Sequence, residues 1–89
     1  MPRALSIRTL QVADGARAEY LARAVERRAT HSDTACNFWI FESDLQRGSF
    51  MEFVEGASAD AVRASIENDI YSTGAALHNE VVLSSAIGA

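Results

Sequence analysis

The sequence predicts an α+β fold in which two helices cover one face of a four-stranded antiparallel sheet. Two segments rich in Ala, Glu and Arg carry apolar residues at helical spacing and predict the helices. Segments with alternating or β-branched residues predict the strands. At the centre of the chain, an aromatic run, a polar turn and a second aromatic run are typical of a β-hairpin. The resulting order is β-α-β-β-α-β, whose right-handed crossovers place both helices on the same side.

The first third of the chain predicts one strand and one helix. Residues 4–12 alternate loosely between apolar and polar side chains and predict the first strand. Asp14 follows as a candidate N-cap for a helix from about residue 16 to residue 28 or beyond. Polar residues 29–34 predict a loop in which His31 is solvated. The predicted apolar stripe of this helix is formed by Tyr20, Leu21, Ala24, Val25 and Arg28.

The central hairpin consists of residues 36–42 and 49–55, joined by a polar turn that ends in Gly48. We expect Phe41 to face Phe50 across this turn, and paired residues share a face. One face, covered by the helices, then holds Cys36, Phe38, Ile40, Met51 and Phe53. The open face holds Asn37, Trp39, Phe41, Phe50, Glu52 and Val54.

The last third of the chain predicts a second helix and a final strand. Ser58 is a candidate N-cap for a helix over about 59–69. Residues 70–79 are interpreted as an irregular connection, and 80–87 as the last strand. The apolar stripe of this helix recurs every four residues, at Val62, Ile66 and Ile70. The whole arrangement is the ferredoxin-like one, and it forms a single domain over 1–89.

Composition excludes several classes of function. The net charge is −4 and the eight basic residues, all arginine, are scattered, which argues against nucleic-acid binding. RNA-recognition motifs share the element order and carry aromatic residues on the open sheet face, but here that face also carries acidic Glu52. One cysteine and two isolated histidines predict neither a disulfide nor a metal site, and no cofactor motif occurs. Without a segment of about 20 apolar residues or a signal peptide, we expect a cytoplasmic protein without a membrane partner.

The predicted open face is too apolar to remain in water. Three large aromatic side chains, Trp39, Phe41 and Phe50, lie on it in the expected register. Each buries roughly 150–250 Å², so at about 25 cal/mol per Å² full burial is worth on the order of 10 to 15 kcal/mol. Even half of that is comparable to the ~5–15 kcal/mol stability of a domain. The sequence therefore predicts a homodimer through the open sheet face.

One family resemblance rests on the hairpin. Phe38-Trp39-Ile40-Phe41-Glu42, a polar turn ending in Gly48, and Phe50-Met51-Glu52-Phe53-Val54-Glu55 leading into Ser58-Ala59-Asp60-Ala61 resemble the dimeric α/β-barrel superfamily, particularly its antibiotic-biosynthesis-monooxygenase-like members. The resemblance implies a homodimer with face-to-face sheets and a cavity beside each sheet. It also implies a small cofactor-independent monooxygenase acting on a small aromatic or quinol-like compound. The alternative is a non-catalytic homodimer of the same fold that binds a small ligand or has a structural role.

Two groups of residues are candidates for a site. Glu52 and Arg8, expected on adjacent strands, are candidates for acid-base catalysis on a bound phenol, or else for a structural ion pair at the dimer seam. Trp39 and Asn37 are candidates to stack against and orient a flat aromatic ligand, or else to pack in the interface. Phe41 and Phe50 complete the predicted ligand-binding set on the open face. Tyr71 could donate to a ligand oxygen or pack on the second helix, and His78 is expected to be solvated.

Overall fold

Four strands and two helices form the predicted α+β, ferredoxin-like fold in the computed structural model, which describes residues 2–83. The sheet order is β2-β3-β1-β4, and every neighbouring pair of strands is antiparallel. None of the helices in this range is long and apolar enough to span a membrane. The elements, in chain order, are β1 (Ala4–Gln11), a 3-10 turn (Asp14–Ala16), α1 (Arg17–Ser32), β2 (Asn37–Glu42), β3 (Ser49–Gly56), α2 (Ala59–Glu67) and β4 (Ala76–Asn79).

Gly48 closes the β2–β3 hairpin in a conformation that other residues adopt only with strain. Its φ is +87°, and a Cβ added there would lie 2.4 Å from the carbonyl oxygen of Val12. The Gly48 N–H donates to Oε2 of Glu42 at 2.8 Å, and the Gly48 carbonyl accepts from the N–H of Val12 at 2.8 Å. Hydrogen bonds from Arg17 and from this backbone N–H hold the pKa of the Glu42 carboxyl at about 2. The turn is therefore fixed by backbone geometry and by the end of β2 together.

The hairpin register differs by one residue from the predicted one. Phe41 pairs with Met51, and Glu42 pairs with Phe50, because the N–H of Ser43 donates to the carbonyl of Ser49 and closes the strand pair there. A shift of one residue moves the whole of β3 to the opposite face. The helix-covered face therefore contains Phe38, Ile40, Phe50, Glu52 and Val54, and the open face contains Asn37, Trp39, Phe41, Met51, Phe53 and Glu55.

The first helix extends into the predicted loop, and its inward face is rotated relative to the expected stripe. It runs to Ser32, so His31 lies in its last turn and is fully buried, and the prediction of a solvated loop histidine is wrong. No side chain caps its N-terminus, and the predicted cap Asp14 instead accepts a hydrogen bond from Arg47 at 2.9 Å. Leu21 and Val25 are exposed. The inward-facing residues are Tyr20, Ala24, Arg27 and His31, spaced four, three and four apart.

The second half of the chain confirms the helix cap and corrects the last strand. The Oγ of Ser58 accepts from the N–H of Ala61 at 3.2 Å, as expected of an N-cap. The last described strand is β4, not 80–87, and it pairs with β1 from Ala4 opposite Asn79 to Ile7 opposite Ala76. Gly74, with φ of +76°, turns the chain into this earlier strand. Residues 80–83 are not a strand, and the rest of the predicted segment lies outside the described residues.

The interior between sheet and helices is as polar as it is apolar. Its apolar core combines the large side chain of Phe38 with small and medium residues, among them Cys36, which is buried as predicted. Every buried side-chain nitrogen and oxygen within residues 2–83 has a hydrogen-bond partner. Such complete pairing indicates an ordered polar network rather than a defect. The buried polar residues are Ser6, Arg27, His31, Glu52, Ser65, Asp69 and Ser72.

Candidate functional site

A cleft of about 350 Å³ opens between α1, the end of β1 and the segment that follows α2. This volume is at the lower end of the roughly 300–1,000 Å³ typical of small-molecule sites. Three arginines and two tyrosines are among its ten lining residues. The lining residues are Arg8, Gln11, Val12, Ala13, Ala16, Glu19, Tyr20, Arg23, Arg27 and Tyr71. The cleft therefore combines aromatic rings with cationic groups.

Arg27 is the centre of the polar network beneath this cleft. Its Nη1 and Nη2 donate to the two carboxylate oxygens of Glu52, each at 2.8 Å, and its Nε donates to Oδ2 of Asp69 at 2.8 Å. Its side chain is 5% exposed, and its guanidinium lies 5.0 Å from the ring centre of Phe38. Bidentate pairing of this kind fixes the orientation of both partners. Arg27 is thus a rigid anchor, not a free cation.

Glu52 is ionised and fully engaged. Besides the two bonds from Arg27, its Oε2 accepts from the hydroxyl of Tyr20 at 2.6 Å, and its Oε1 lies 3.4 Å from Nε of Arg8. Burial by itself raises the pKa of this carboxyl, but the hydrogen bonds from Arg27 and Tyr20 outweigh it and hold the pKa below the ordinary value of 4.5. Both oxygens of the Glu52 carboxylate are engaged, and its side chain is 2% exposed. The role of Glu52 is therefore to hold its neighbours in position.

Tyr20 is held as a neutral phenol whose oxygen lies beside the cleft. Burial and the hydrogen bond to Glu52 raise the pKa of its hydroxyl above the ordinary value. Because the hydroxyl hydrogen points to Glu52, the oxygen retains a lone pair that can accept a hydrogen bond. Its ring packs against Phe50 with centroids 4.8 Å apart. The ring orientation is therefore set at both ends.

Arg8 and Arg23 are the guanidinium groups with donors still available in the cleft wall. Arg8 makes no hydrogen bond to any residue in the described range, its one ionic contact is the 3.4 Å approach to Glu52, and its side chain is 17% exposed. Arg23 donates to Oε1 of Glu19 at 3.1 Å and lies 4.7 Å from the ring centre of Tyr71. Both lie at the surface of the cleft, where a bound molecule would meet them.

Asp69 attaches the segment after α2 to this network. Its Oδ1 accepts from the N–H of Tyr71 at 3.0 Å, and its Oδ2 accepts from the hydroxyl of Ser72 at 2.9 Å. Burial raises the pKa of this carboxyl, but hydrogen bonds from Arg27, from His31 and from this segment outweigh burial and hold the pKa below the ordinary 3.8. The position of Tyr71 over the cleft therefore depends on an ionised Asp69.

Hydrogen bonds also link a serine, a histidine and an aspartate in series, although the amino-acid sequence contains no Ser-His-Asp motif that would predict this arrangement. Nε2 of His31 is 2.8 Å from Oδ2 of Asp69, and its Nδ1 is 2.6 Å from Oγ of Ser65. His31 and Ser65 are both 0% exposed, so no substrate can reach the hydroxyl, and a nucleophile must be reachable. These residues join α1 to α2. Among residues 2–83, no group of three His, Cys, Asp or Glu side chains is arranged to hold a metal ion.

The predicted site residues are divided between the two faces of the sheet. Arg8 and Glu52 are direct cross-strand neighbours, as expected, but they lie under the helices and not on the open face. Phe50 lies under the helices as well, because the register shift moved it there together with Glu52. The other three predicted ligand-binding residues, Asn37, Trp39 and Phe41, lie on the open face.

On the open face the side chains form a second surface. Asn37 donates to Oε1 of Glu55 at 2.9 Å and so does not point freely to solvent. Trp39 is 47% exposed, and Phe41, 59% exposed, packs edge-on against Phe53 at 5.4 Å. Another concavity, of about 430 Å³, lies beside Trp39, and exposed His78 of β4 is part of its lining. The full lining is Arg3, Ala4, Leu5, Trp39, Glu55, His78, Asn79 and Glu80.

Sequence reasoning missed most of the cleft residues. Arg27 and His31 were placed on the outside of α1 or beyond it, because charged and polar residues are rarely buried. The signal that could have found them is the spacing of the inward stripe, which joins them to Tyr20 and Ala24 with a strict four-three-four pattern. Asp69 lies 42 positions from Arg27, and no local pattern links the two.

Comparison with known proteins supports the fold. No family model matches the chain, and no curated protein matches it significantly. A solved structure is similar: a conserved protein of unknown function from Bacteroides thetaiotaomicron VPI-5482, described as a possible oxidoreductase. It has 21% sequence identity and a TM-score of 0.63, over 88% of this chain and 92% of that one. At this identity the similarity shows a shared ferredoxin-like fold.

Proposed function

We propose that the protein is a small monooxygenase-like protein that acts without a cofactor on a small aromatic or quinol-like compound bound in the cleft. The observation that carries this proposal is the cleft itself, where two tyrosine rings, Tyr20 and Tyr71, lie beside the available guanidinium groups of Arg8 and Arg23. The resemblance of the hairpin to the antibiotic-biosynthesis-monooxygenase-like proteins supports the choice of reaction. The description of the similar Bacteroides protein as a possible oxidoreductase agrees with it.

The proposed chemistry uses the arginines to make the substrate electron-rich. Arg23 donates to the phenolic oxygen of the substrate and favours its anion, while Glu52 keeps Arg27 and Tyr20 in place. The phenolic proton leaves to solvent through the open mouth of the cleft. A phenolate with a free para position then reacts with O₂: one oxygen atom replaces the ring hydrogen and forms the quinone carbonyl. The other oxygen atom leaves as water, so that phenol plus O₂ gives quinone plus water.

A second candidate function is binding without catalysis. It is favoured by the state of Glu52, since both oxygens of this carboxylate are already hydrogen-bonded and its pKa is lowered. A carboxylate in that state is a poor proton acceptor. The same cleft then serves to bind a small aromatic molecule in a homodimer of the same fold.

Oxygen uptake and binding, measured side by side, separate the two functions. The purified protein is incubated with a panel of phenols and 1-naphthols that have a free para position. Oxygen consumption and quinone absorbance are recorded, and binding is followed by calorimetry. We expect Ala16→Trp, which fills the cleft, to lower both uptake and binding by at least about tenfold. Ala18→Trp, on the exposed side of α1, is the matched control and should change neither. Binding without uptake favours the second function, and the absence of both contradicts the two together.

We also propose that two copies of the chain associate through the open face. After the change of register this face remains largely apolar, because Met51 and Phe53 take the places predicted for Phe50 and Val54 beside Trp39 and Phe41. An exposed apolar patch of this kind typically marks an interaction site, and its charged residues are few: Glu55 is already paired with Arg3 and Asn37. A second copy would supply the same apolar surface in return.

Light scattering at micromolar concentration tests the dimer. We expect a dimeric mass for the unmodified chain and a monomeric mass for Trp39→Glu, because the substitution places a charge in the middle of the interface. Leu45→Glu is the matched control, since Leu45 is exposed in the hairpin turn, away from the sheet faces. A monomeric mass for the unmodified chain would contradict the proposal.

A further inference from the structure

The wall of the cleft is cationic on a protein that is acidic overall. Three arginines, Arg8, Arg23 and Arg27, line it against one acid, Glu19, whereas the whole chain carries a net charge of −4. The carboxylates of Glu52 and Asp69 do not line the cleft but lie behind Arg27, with their oxygens turned to donors inside the fold. Apart from the carboxylate of Glu19, the charged groups that an entering molecule meets in the cleft are therefore guanidinium groups.

Arg8 is the group with unused binding capacity. A guanidinium has five N–H donors in a planar fork, and a carboxylate matches two of them at once. In Arg27 those donors are occupied by Glu52, Asp69 and Ser72. In Arg8 none makes a hydrogen bond within the described residues, although the side chain is mostly enclosed and is approached on one side by Glu52. A mostly enclosed guanidinium that lines an open cleft and has donors without hydrogen-bond partners in the described residues is a site for an anion.

We propose that the ligand of this cleft carries a carboxylate, which Arg8 binds through its open donor edge. This inference rests on the proposed function and narrows its substrate class to small aromatic carboxylates, of which a hydroxybenzoate is the simplest. The body of such a ligand is a flat ring, and the tyrosine rings of the cleft offer it surfaces of the same kind. Arg23 adds a second positive charge at the mouth, beside Tyr71.

The charges behind the wall favour a singly charged group at Arg8 over a doubly charged one. Two buried carboxylates, Glu52 and Asp69, share Arg27, and Glu52 also approaches Arg8 at 3.4 Å. A doubly charged group such as a phosphate would meet these carboxylates at close range, where charges are poorly screened. A planar carboxylate carries one charge and fits the fork of Arg8, so it is the anion that the site prefers.

A pair of matched probes tests this inference. 3-Hydroxybenzoate and 3-hydroxybenzamide both leave the position para to the hydroxyl free, and they differ in the charge of one substituent on the same phenol. Calorimetry compares their affinities for the unmodified protein. We expect the carboxylate to bind at least about tenfold more tightly, as a charge-assisted bidentate contact gives. Arg8→Gln should remove that difference, whereas Arg63→Gln, the same change on the outer side of α2, should preserve it.

The possible outcomes separate this inference from the proposed function. Equal binding of the two probes overturns the carboxylate preference and leaves the proposed function standing, while failure of both probes to bind contradicts the site as a whole. A preference that survives in Arg8→Gln overturns the role of Arg8. If Arg8→Gln does not fold, the side-chain N–H signals of Arg8 in the unmodified protein give the answer by NMR. They should shift on addition of 3-hydroxybenzoate, and the absence of a shift would overturn the assignment.

Discussion

The two faces of this sheet are made by the same strands but are stabilised in opposite ways. Neighbouring residues of β3 show the contrast: Glu52 points under the helices into hydrogen bonds from Arg27 and Tyr20, and Phe53 points to the open face and packs on Phe41. The covered face holds charges in a small interior, whereas the open face exposes large apolar side chains. Polar groups are kept inside because each one is paired, and apolar groups are left outside where an interface can use them.

Buried ionic networks of this kind rarely add much stability over an apolar core. Arg27, Glu52 and Asp69 are all nearly inaccessible, and they occupy volume that a leucine or phenylalanine could fill. Because the network lies beneath the cleft, it has a different role. It holds Tyr20 and Tyr71 in position and contacts Arg8 in the wall of the cleft. Rigid support behind the groups that touch a ligand is what a binding site requires.

The largest decrease in the free energy of unfolding is expected when a charged group is removed from the helix-covered face of the sheet. Glu52→Gln leaves Arg27 buried with part of its partner removed, and breaking a buried pair in this way costs about 3 to 5 kcal/mol. Glu55→Gln, three residues along the same strand and on the open face, should cost less than about 1 kcal/mol, as exposed pairs do. Urea unfolding of both variants at pH 7 gives the two free energies, and equal losses would contradict the contrast between the faces.

Features of the fold could be predicted where the interacting residues lie close together in the sequence, and not where they lie far apart. Gly48 and Ser58 were identified because a left-handed turn and a helix cap are set by residues next to them in the chain. The strand register was not predicted correctly, because it depends on where the hairpin closes. It closes at the hydrogen bond between the Ser43 N–H and the Ser49 carbonyl. A one-residue difference was enough to exchange the faces of β3 and to move Phe50 away from the predicted ligand-binding set.

The cleft itself was predictable only in part. The Arg8 and Glu52 pair was found from strand adjacency, which the element order specifies without the register. The burial of Arg27 and His31 was missed, since each depends on Asp69, a residue far along the chain and beyond the end of α2. Long-range polar pairing leaves no periodic trace in a single sequence. The apolar stripe of α1 was misplaced for the same reason, because half of its inward residues are polar.

A smaller effect, on the dependence of stability on pH, sharpens the same comparison. The pKa values of Glu52 and Asp69 are held below their ordinary 4.5 and 3.8 in the folded protein, so the unfolded chain binds more protons at acidic pH. Their contribution to the free energy of unfolding is therefore complete above about pH 5. It is lost progressively as the pH falls through the ordinary values and then through the folded ones. Urea unfolding at pH 7, 5, 4 and 3 should show stability decreasing along that series.

Two variants show which face of the sheet carries the carboxylates responsible for the loss of stability at acidic pH. Asp69→Asn should lower stability at pH 7 and flatten the profile below pH 5, because one of the two covered carboxylates no longer titrates. In Glu55→Gln most of the slope should remain. The pKa of Glu55 is also lowered, by the hydrogen bond from Asn37 and by Arg3, but these partners are on the solvent-facing side, where such contacts contribute less. A profile that flattens in Glu55→Gln and not in Asp69→Asn would place the titrating groups on the open face instead.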